Sequence, residues 1–141
     1  MKVINYGRQF IDKKDINSVV EVLKSQYLTQ GPKIVEIEKI LKKTLGGKYC
    51  SVLSSGTAAL HLLGIALGWK KNDIILTTPI TFLASSNCIL YSEATPSFVD
   101  IDFNTGNICP SKLEIKIKKL RKKRKKIKAI IAVDFSGNPC D

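Results

Sequence analysis

The residues best suited to chemistry form a short run of small and hydroxyl-bearing side chains. Ser54, Ser55, Gly56 and Thr57 follow an apolar stretch and lead directly into a helical pattern. Backbone amides at the start of a helix attract phosphate, and the hydroxyls of Ser55 and Thr57 would add hydrogen-bond donors. A Ser or Thr that only caps a helix has the same pattern, so the residues alone leave both interpretations open. The Gly-x-x-x-x-Gly-Lys and Gly-x-Gly-x-x-Gly phosphate-binding patterns do not occur.

An aromatic side chain follows the next apolar stretch. Phe82 lies in the segment 77–87, which also carries the amide of Asn87. We expect this segment and the run near Gly56 to meet at one edge of a sheet. A flat ligand with a phosphate could then lie against Phe82 while its phosphate contacts the helix start. The alternative, in which Phe82 fills the core, stays open on the residues alone.

Hydrophobic periodicity predicts that alternating strands and helices position these residues. The strands are short apolar runs, which are typical of parallel strands covered on both faces. Parallel strands joined by helices build an α/β sheet of three layers, whose ligands bind at the carboxyl ends of the strands. We predict strands at 49–53, 73–78, 97–101 and 129–134, and helices at 57–67, 81–91 and 110–126.

Two further helices are predicted before this sheet. The first covers 12–25 with Asp12 as its N-cap, and the second begins at Pro32 and ends at Gly46-Gly47. A tight loop, 26–31, joins them. The second helix is expected to turn an apolar face inward, made of Ile34, Ile37, Ile40 and Leu41.

The formal charge of +11 comes from one local segment. Residues 116–128 include ten basic and no acidic side chains, which leaves 13 basic and 12 acidic residues elsewhere. Within that segment apolar residues keep a helical spacing, which favours a solvated helix face. The chain has 3 arginines against 20 lysines, whereas recognition of bases and phosphates favours arginine.

The remaining composition points to a cytoplasmic globular domain. The chain has 141 residues, and no apolar run approaches the roughly 18 residues that a membrane helix needs. Its start lacks the apolar stretch of a secretory signal. The four cysteines form no Cys-x-x-Cys pair and there is one histidine, so we expect no metal site.

Four segments together resemble the DegT/DnrJ/StrS family of sugar aminotransferases. They occur in order along the whole chain, at compatible spacings. The segments are Tyr27-Leu28-Thr29-Gln30-Gly31-Pro32, Ser54-Ser55-Gly56-Thr57-Ala58-Ala59-Leu60, Thr78-Pro79-Ile80-Thr81-Phe82-Leu83-Ala84-Ser85-Ser86-Asn87 and Val133-Asp134-Phe135-Ser136-Gly137-Asn138-Pro139. Tyr6 and the loop at 26–31 also resemble the branch of this family that acts in pseudaminic acid synthesis.

The resemblance implies the N-terminal part of the large domain of a pyridoxal 5′-phosphate enzyme of fold type I, a homodimer with active sites at the subunit interface. It implies an N-terminal helical segment with a substrate loop at 1–48 and the first part of the cofactor-binding α/β domain at 49–141. The cofactor phosphate would be held by Ser55, Gly56, Thr57 and Ala58, and Phe82 would stack on the pyridine ring. The substrate would contact Tyr6, Gln26, Tyr27, Leu28 and Thr29.

The reaction that the resemblance implies is transfer of an amino group from glutamate to C4 of a UDP-linked 4-keto-6-deoxy sugar. The family's lysine that forms the Schiff base lies in a later segment, which these 141 residues do not contain. The lysine-rich run is no substitute, because such a lysine needs a sheltered site that lowers its pKa. We therefore expect a truncated chain that is inactive alone.

Two other classes of protein remain open on the sequence. One is a small α/β module that binds phosphate-bearing ligands near Ser55 without catalysis, which saturable cofactor binding by a soluble monomer would favour. The other is a nucleic-acid-binding protein that uses residues 116–128, which salt-dependent binding to DNA or RNA would favour. The scarcity of arginine and aromatic residues in that run counts against the second.

Overall fold

The computed structural model describes residues 7–141 of the chain. These residues form two compact units, Met1–Val52 and Leu53–Asp141, the first being described from residue 7. Helices α1 and α2 belong to the first unit. The second unit contains a parallel sheet with helices and is treated separately below.

Capping signals set the ends of the two helices in the first unit. Helix α1, Lys13–Leu23, begins after Asp12, whose side chain accepts hydrogen bonds from the amides of Lys14 and Asp15. The Asp15 side chain accepts in return from the Asp12 amide at 2.9 Å, which completes a capping box. Helix α2, Pro32–Leu45, has proline in its first turn and ends at Gly46, which adopts a left-handed conformation with φ 65°. The predicted N-cap at Asp12, the start at Pro32 and the end at Gly46 are confirmed, whereas α1 ends at Leu23, two residues earlier than predicted.

The apolar faces of α1 and α2 are not buried. Neither helix contains a buried residue. The prediction that Ile34, Ile37, Ile40 and Leu41 point into a core is therefore wrong: Ile40 is 55% exposed, and Leu41 is half-buried. An amphipathic pattern records which face of a helix is apolar, but a second element has to cover that face before it is removed from water.

The second unit is a three-layer α/β arrangement, as predicted. Its sheet is parallel and has the strand order β2-β1-β3 within the described residues. Because each strand returns through a helix, the two faces of the sheet are covered by helices. The elements in chain order are α3 (Gly56–Ala66), β1 (Asp73–Thr77), α4 (Ala84–Tyr91), β2 (Thr95–Phe98), α5 (Pro110–Lys122) and β3 (Lys126–Ile130).

Two clusters of apolar side chains fix the layers. Ile75 of β1 packs on one face with Trp69 and with Cys88 and Ile89 of α4. On the other face, Ile74 and Leu76 pack with Val99 and Ile108, and this cluster is closed by apolar side chains of α5 and β3: Leu113, Ile117, Leu120 and Ile127. Three of these side chains belong to α5 and one, Ile127, belongs to β3. All of β1 is buried, so the central strand is the most protected element.

Two strands begin earlier than predicted. β2 covers Thr95–Phe98 instead of 97–101, and β3 covers Lys126–Ile130 instead of 129–134. Pro96 is tolerated because β2 pairs only with β1 in the described sheet, and an edge strand does not need every amide for pairing. In β3, exposed lysines alternate with half-buried Ile127 and Ala129. The end of the basic run therefore forms a strand with one solvent-exposed face.

The strand predicted at 49–53 does not form. Within residues 7–141, this segment pairs with no strand of the sheet. An apolar run becomes a strand only where a neighbour supplies the hydrogen-bonded ladder. Helices α4 and α5 are also shorter than predicted, since α4 begins at Ala84 and α5 ends at Lys122. Among the described residues, no helix has the length and apolar character needed to cross a membrane.

Candidate functional site

The start of α3 presents backbone amides with no acceptor. Ser55 is the N-cap in extended backbone, and its Oγ accepts a hydrogen bond from the Ala58 amide at 3.1 Å. The Ala59 amide donates to the Ser55 carbonyl at 3.0 Å. Among residues 7–141, nothing accepts from the amides of Gly56 and Thr57. These two donors lie at the positive end of the helix dipole, which is the arrangement that binds an anion.

Open space surrounds this helix start. A β-carbon placed on Gly56 would have no atom within 4 Å, leaving aside its chain neighbours and the helix's own backbone. Ser54, Ser55 and Thr57 are exposed as well. A phosphate group can therefore approach the amides of Gly56 and Thr57 without displacing any of the surrounding described atoms.

Phe82 lies just before α4 and does not fill the core. Its side chain is 77% exposed, so the interpretation of Phe82 as core filler is wrong for this unit. Its backbone is held in place, because the Phe82 carbonyl accepts from the Ser85 amide at 3.0 Å. Next to it, the hydroxyls of Thr81 and Ser85 form a hydrogen bond of 2.8 Å. A fixed backbone with an exposed ring offers a flat surface on which an aromatic ligand can stack.

The directions of the helices bring the start of α3 and Phe82 to the same side of the sheet. Helix α4 joins the parallel strands β1 and β2, so it begins at their carboxyl edge. Helix α3 leads through a short turn into the start of β1, which places its end at the amino edge. The rings of His61 and Tyr91 lie 5.0 Å apart, and Gly64 faces Ser92, so the C-terminal halves of α3 and α4 pack together. Both helices therefore begin on the carboxyl side.

A close approach at Gly64 holds the two helices in this arrangement. A β-carbon at Gly64 would lie 2.7 Å from Ser92 Oγ and 2.8 Å from Trp69 Cε3. Only glycine leaves room for such contacts. The sequence indicated nothing about this role, because the three residues meet only in the folded unit.

The predicted substrate loop lies in the first unit, between α1 and α2. Ser25 Oγ donates to the carbonyls of Val22 and Tyr27, at 2.7 and 3.1 Å, which ties the loop to the end of α1. Tyr27 and Leu28 line a pocket of about 310 Å³, a size within the range of small-molecule sites. Gln26 and Thr29 are exposed and do not line it. Tyr6, also predicted to contact the substrate, lies outside the described residues.

Several residues of this pocket carried no separate sequence prediction. They include Glu21, Ser25, Gln30, Gly31 and Lys33. A β-carbon at Gly31 would lie 3.1 Å from the Tyr27 carbonyl oxygen. Gly31 therefore allows the loop to close tightly on itself. In the sequence, the Gly-Pro pair at 31–32 was the signal that could have indicated this tight turn.

The carboxylates after the strands hold turns. Asp102 Oδ1 accepts from the amides of Asn104 and Thr105, at 2.9 and 3.1 Å. Asp134 Oδ1 accepts from the Cys140 amide at 3.0 Å.

Lys112 Nζ lies 2.6 Å from Asp100 and holds the pKa of that carboxyl below its usual range. Within residues 7–141, no group of three His, Cys, Asp or Glu side chains is arranged to hold a metal ion.

A buried asparagine fixes residues 133–139, the last of the four segments that resemble the aminotransferase family. Asn107 is 4% exposed, and its Nδ2 donates to the carbonyls of Asn138 and Pro139 at 2.9 and 3.0 Å. Its Oδ1 accepts from the Phe135 amide at 2.9 Å. One side chain therefore fixes the turn that follows β3, a role that its neighbours in the sequence do not reveal.

Comparison with known proteins shows the family to which this chain belongs. The profile of the DegT/DnrJ/EryC1/StrS aminotransferase family matches residues 9–141. The chain belongs to this family.

Individual relatives are similar over nearly the whole chain. A protein of Campylobacter jejuni described as UDP-4-amino-4,6-dideoxy-N-acetyl-beta-L-altrosamine transaminase is 43% identical over 136 residues, which are 96% of this chain and 35% of that protein. The structure of Helicobacter pylori PseC, an aminotransferase of pseudaminic acid biosynthesis, aligns with TM-score 0.84 and 37% identity over 99% of this chain and 36% of that one. The sugar aminotransferase Spr1654 of Streptococcus pneumoniae, in its PLP-form, aligns with TM-score 0.86 and 31% identity over 98% of this chain and 34% of that one. The chain thus spans about a third of the length of these relatives.

Proposed function

We propose that this chain supplies the phosphate-binding and ring-stacking parts of a pyridoxal-phosphate-dependent sugar aminotransferase. The observation that carries the proposal is the pair of free amides, Gly56 and Thr57, at the open start of α3. Membership of an aminotransferase family and similarity to a structure solved in the PLP-form support it.

The residues present fit this cofactor. The amides of Gly56 and Thr57 would donate to its phosphate, while Ser55 keeps the Ala58 amide satisfied and holds the turn in extended backbone. The exposed face of Phe82 would lie against the pyridine ring and exclude water from one side of it. When bound, the cofactor supplies the electron sink that transamination requires, and the protein supplies binding and orientation.

We propose that the substrate is a UDP-linked 4-keto-6-deoxy sugar, aminated at C4, with glutamate as the amino donor. Support comes from the names of the relatives in Campylobacter jejuni and Helicobacter pylori. In the first unit, Tyr27 and Leu28 line a pocket of suitable size, so the loop containing Gln26 and Thr29 is the candidate to contact the sugar nucleotide. Tyr6 belongs to the same proposal.

The catalytic lysine of the family is assigned to a segment outside residues 1–141, so these residues taken alone are proposed to be inactive in transamination. The proposal also includes a helical segment at 1–48 that carries the substrate loop and a cofactor-binding segment at 49–141. A homodimer and a cytoplasmic location complete it.

A binding experiment tests the cofactor part. Pyridoxal phosphate would react with surface lysines through its aldehyde, and the chain has 20 lysines, so pyridoxamine 5′-phosphate is the better probe. Isothermal titration should show one saturable site for this compound. Pyridoxamine, which lacks the phosphate, should bind at least about a hundredfold more weakly, because two charge-assisted hydrogen bonds of about 1.5–3 kcal/mol each would be missing. Equal binding of the two compounds would contradict the proposal.

A second experiment tests the sugar nucleotide. Saturation-transfer NMR with UDP-N-acetylglucosamine should detect contact in the unaltered chain and lose it in Tyr27→Ala. Tyr49→Ala is the matched control, because Tyr49 is also an exposed tyrosine of the first unit but does not line the pocket. An equal loss in both variants, or none in Tyr27→Ala, would contradict the assignment of the loop.

A further inference from the structure

The amino edge of the sheet carries a groove lined by cations from two distant parts of the sequence. Lys70 and Lys71 precede β1, whereas Arg124, Lys125 and Lys126 connect α5 with β3. Pairing of β1 with β3 places Asp73 opposite Lys126 and so brings the two segments together. The groove has a volume of about 610 Å³.

Both segments are fixed in position by hydrogen bonds. The Asp73 amide donates to the Lys70 carbonyl at 3.0 Å, and the Lys70 amide donates to Asp73 Oδ2 at 3.2 Å. On the other side, the Lys125 amide donates to the Leu120 carbonyl at 3.0 Å, and Arg124 makes a sharp turn with φ 53°. The cations therefore project from two rigid turns.

One buried carboxylate lies among these cations and is already neutralised. The Asp73 side chain is 2% exposed and lies 2.9 Å from Lys126 Nζ, which lowers the pKa of that carboxyl. In the described part of the chain, Lys70, Lys71, Arg124 and Lys125 form no ion pair. Five cations and one carboxylate give the groove a formal charge of +4. A concave surface of one sign concentrates its field and attracts counter-ions.

We propose that this groove binds a small, multiply charged phosphate anion, of the di- or triphosphate class. Four unpaired cations on two rigid turns match a ligand with several phosphate groups better than a ligand with a single phosphate. The guanidinium of Arg124 can hold phosphate oxygens in bidentate fashion. The volume is within the range of small-ligand sites, and a concave site favours a compact ligand over an extended polymer.

This site is separate from the proposed cofactor site, because it lies at the amino edge of the sheet, whereas α3 and α4 begin on the carboxyl side. It also does not depend on the lysines of the solvated α5 face. Loss of cofactor binding at Gly56 would therefore leave it unchanged, and the two proposals can fail independently.

Titration with inorganic triphosphate at about 0.15 M ionic strength, where the Debye length is about 8 Å, tests the proposal. One triphosphate per chain is expected to bind. The double variants K70Q/K71Q and R124Q/K125Q should each weaken binding about tenfold or more, since each removes two unscreened charges from within a Debye length of the ligand. The control K116Q/K119Q removes the same charge from α5, further from the groove, and should change binding by less than about threefold because salt screens these more distant charges. The variant K70R/K71R keeps the charge and should retain binding.

Three results would overturn the proposal: no saturation, equal weakening by groove and control variants, and stronger binding of single-stranded RNA than of triphosphate. Comparing adenosine triphosphate with inorganic triphosphate then identifies the source of the phosphate groups. Tighter binding of the nucleotide indicates a nucleoside polyphosphate, and equal or weaker binding indicates an inorganic one. Binding of pyridoxamine 5′-phosphate should be unaffected by the groove variants.

Discussion

Replacing Gly64 with alanine tests the close contact that holds α3 against α4. The new methyl group would lie 2.7 Å from Ser92 Oγ and 2.8 Å from Trp69 Cε3. Trp69 is 7% exposed and belongs to the core cluster, so its ring has little freedom to move away. Overpacking of this kind costs about 1–3 kcal/mol, and alanine regains up to about 1 kcal/mol of helix propensity relative to glycine. Because the Trp69 ring is held in the core, the overpacking cost lies in the upper part of that range, and we expect a net loss of about 1–2 kcal/mol in the free energy of unfolding.

Denaturant unfolding followed by circular dichroism measures this loss. Gly56→Ala is the matched control, because it makes the same substitution in the same helix where nothing surrounds the new β-carbon. This control lacks the clash but keeps the gain in helix propensity, so its free energy of unfolding should equal that of the unaltered chain or exceed it by up to about 1 kcal/mol. If Gly64→Ala were as stable as the unaltered chain, the contact between α3, Trp69 and Ser92 would not be as tight as described.

Three further substitutions test the site and the two units. Phe82→Ala should change the free energy of unfolding by less than about 0.5 kcal/mol, because the ring is 77% exposed. Titration should show that it binds pyridoxamine 5′-phosphate roughly fivefold more weakly, because stacking of about 1 kcal/mol is lost. Asp12→Ala removes the capping box and should cost about 1 kcal/mol, seen as faster amide hydrogen exchange in α1; unchanged exchange would contradict this. Lys126 lowers the pKa of the Asp73 carboxyl in the folded chain. The ion pair therefore stabilises the fold above about pH 4, the pKa of an unfolded aspartate, and this stabilisation is lost as the pH falls through the lower pKa of folded Asp73. In Lys126→Gln the loss of stability on acidification should be smaller, which unfolding at a series of pH values measures.

Helix ends were predictable because the signals that set them are local. Asp12, Pro32 and Gly46 act on backbone groups a few residues away, and all three have the predicted role. Strand positions were less predictable, since a strand forms where a partner completes its ladder. The apolar run at 49–53 has no such partner in the described sheet, and Lys126 enters β3 because it pairs opposite Asp73.

The site could be predicted in part for the same reason. The small residues near Gly56 are visible in the sequence, and so is the aromatic residue at 82. Which amides are free depends on the folded turn: Ser55 Oγ accepts from the Ala58 amide, which leaves the amides of Gly56 and Thr57 as the donors. Contacts between residues far apart in the chain, such as those of Gly64 and Asn107, could not be read from any local pattern.

The central claim is that the Gly56 amide binds the cofactor phosphate, and Gly56→Pro tests it most directly. Proline is favoured in the first turn of a helix and lacks the amide hydrogen, while Ser55 before it is already extended. Helix α3 should therefore persist while one donor is lost.

Titration of Gly56→Pro and Gly56→Ala with pyridoxamine 5′-phosphate gives the decisive comparison. The proline variant should bind about tenfold more weakly or worse, since a hydrogen bond to a charged group contributes about 1.5–3 kcal/mol. The alanine variant keeps the amide and should bind within about twofold of the unaltered chain. Unchanged binding by the proline variant with α3 intact, or an equal loss in both variants, would contradict the claim.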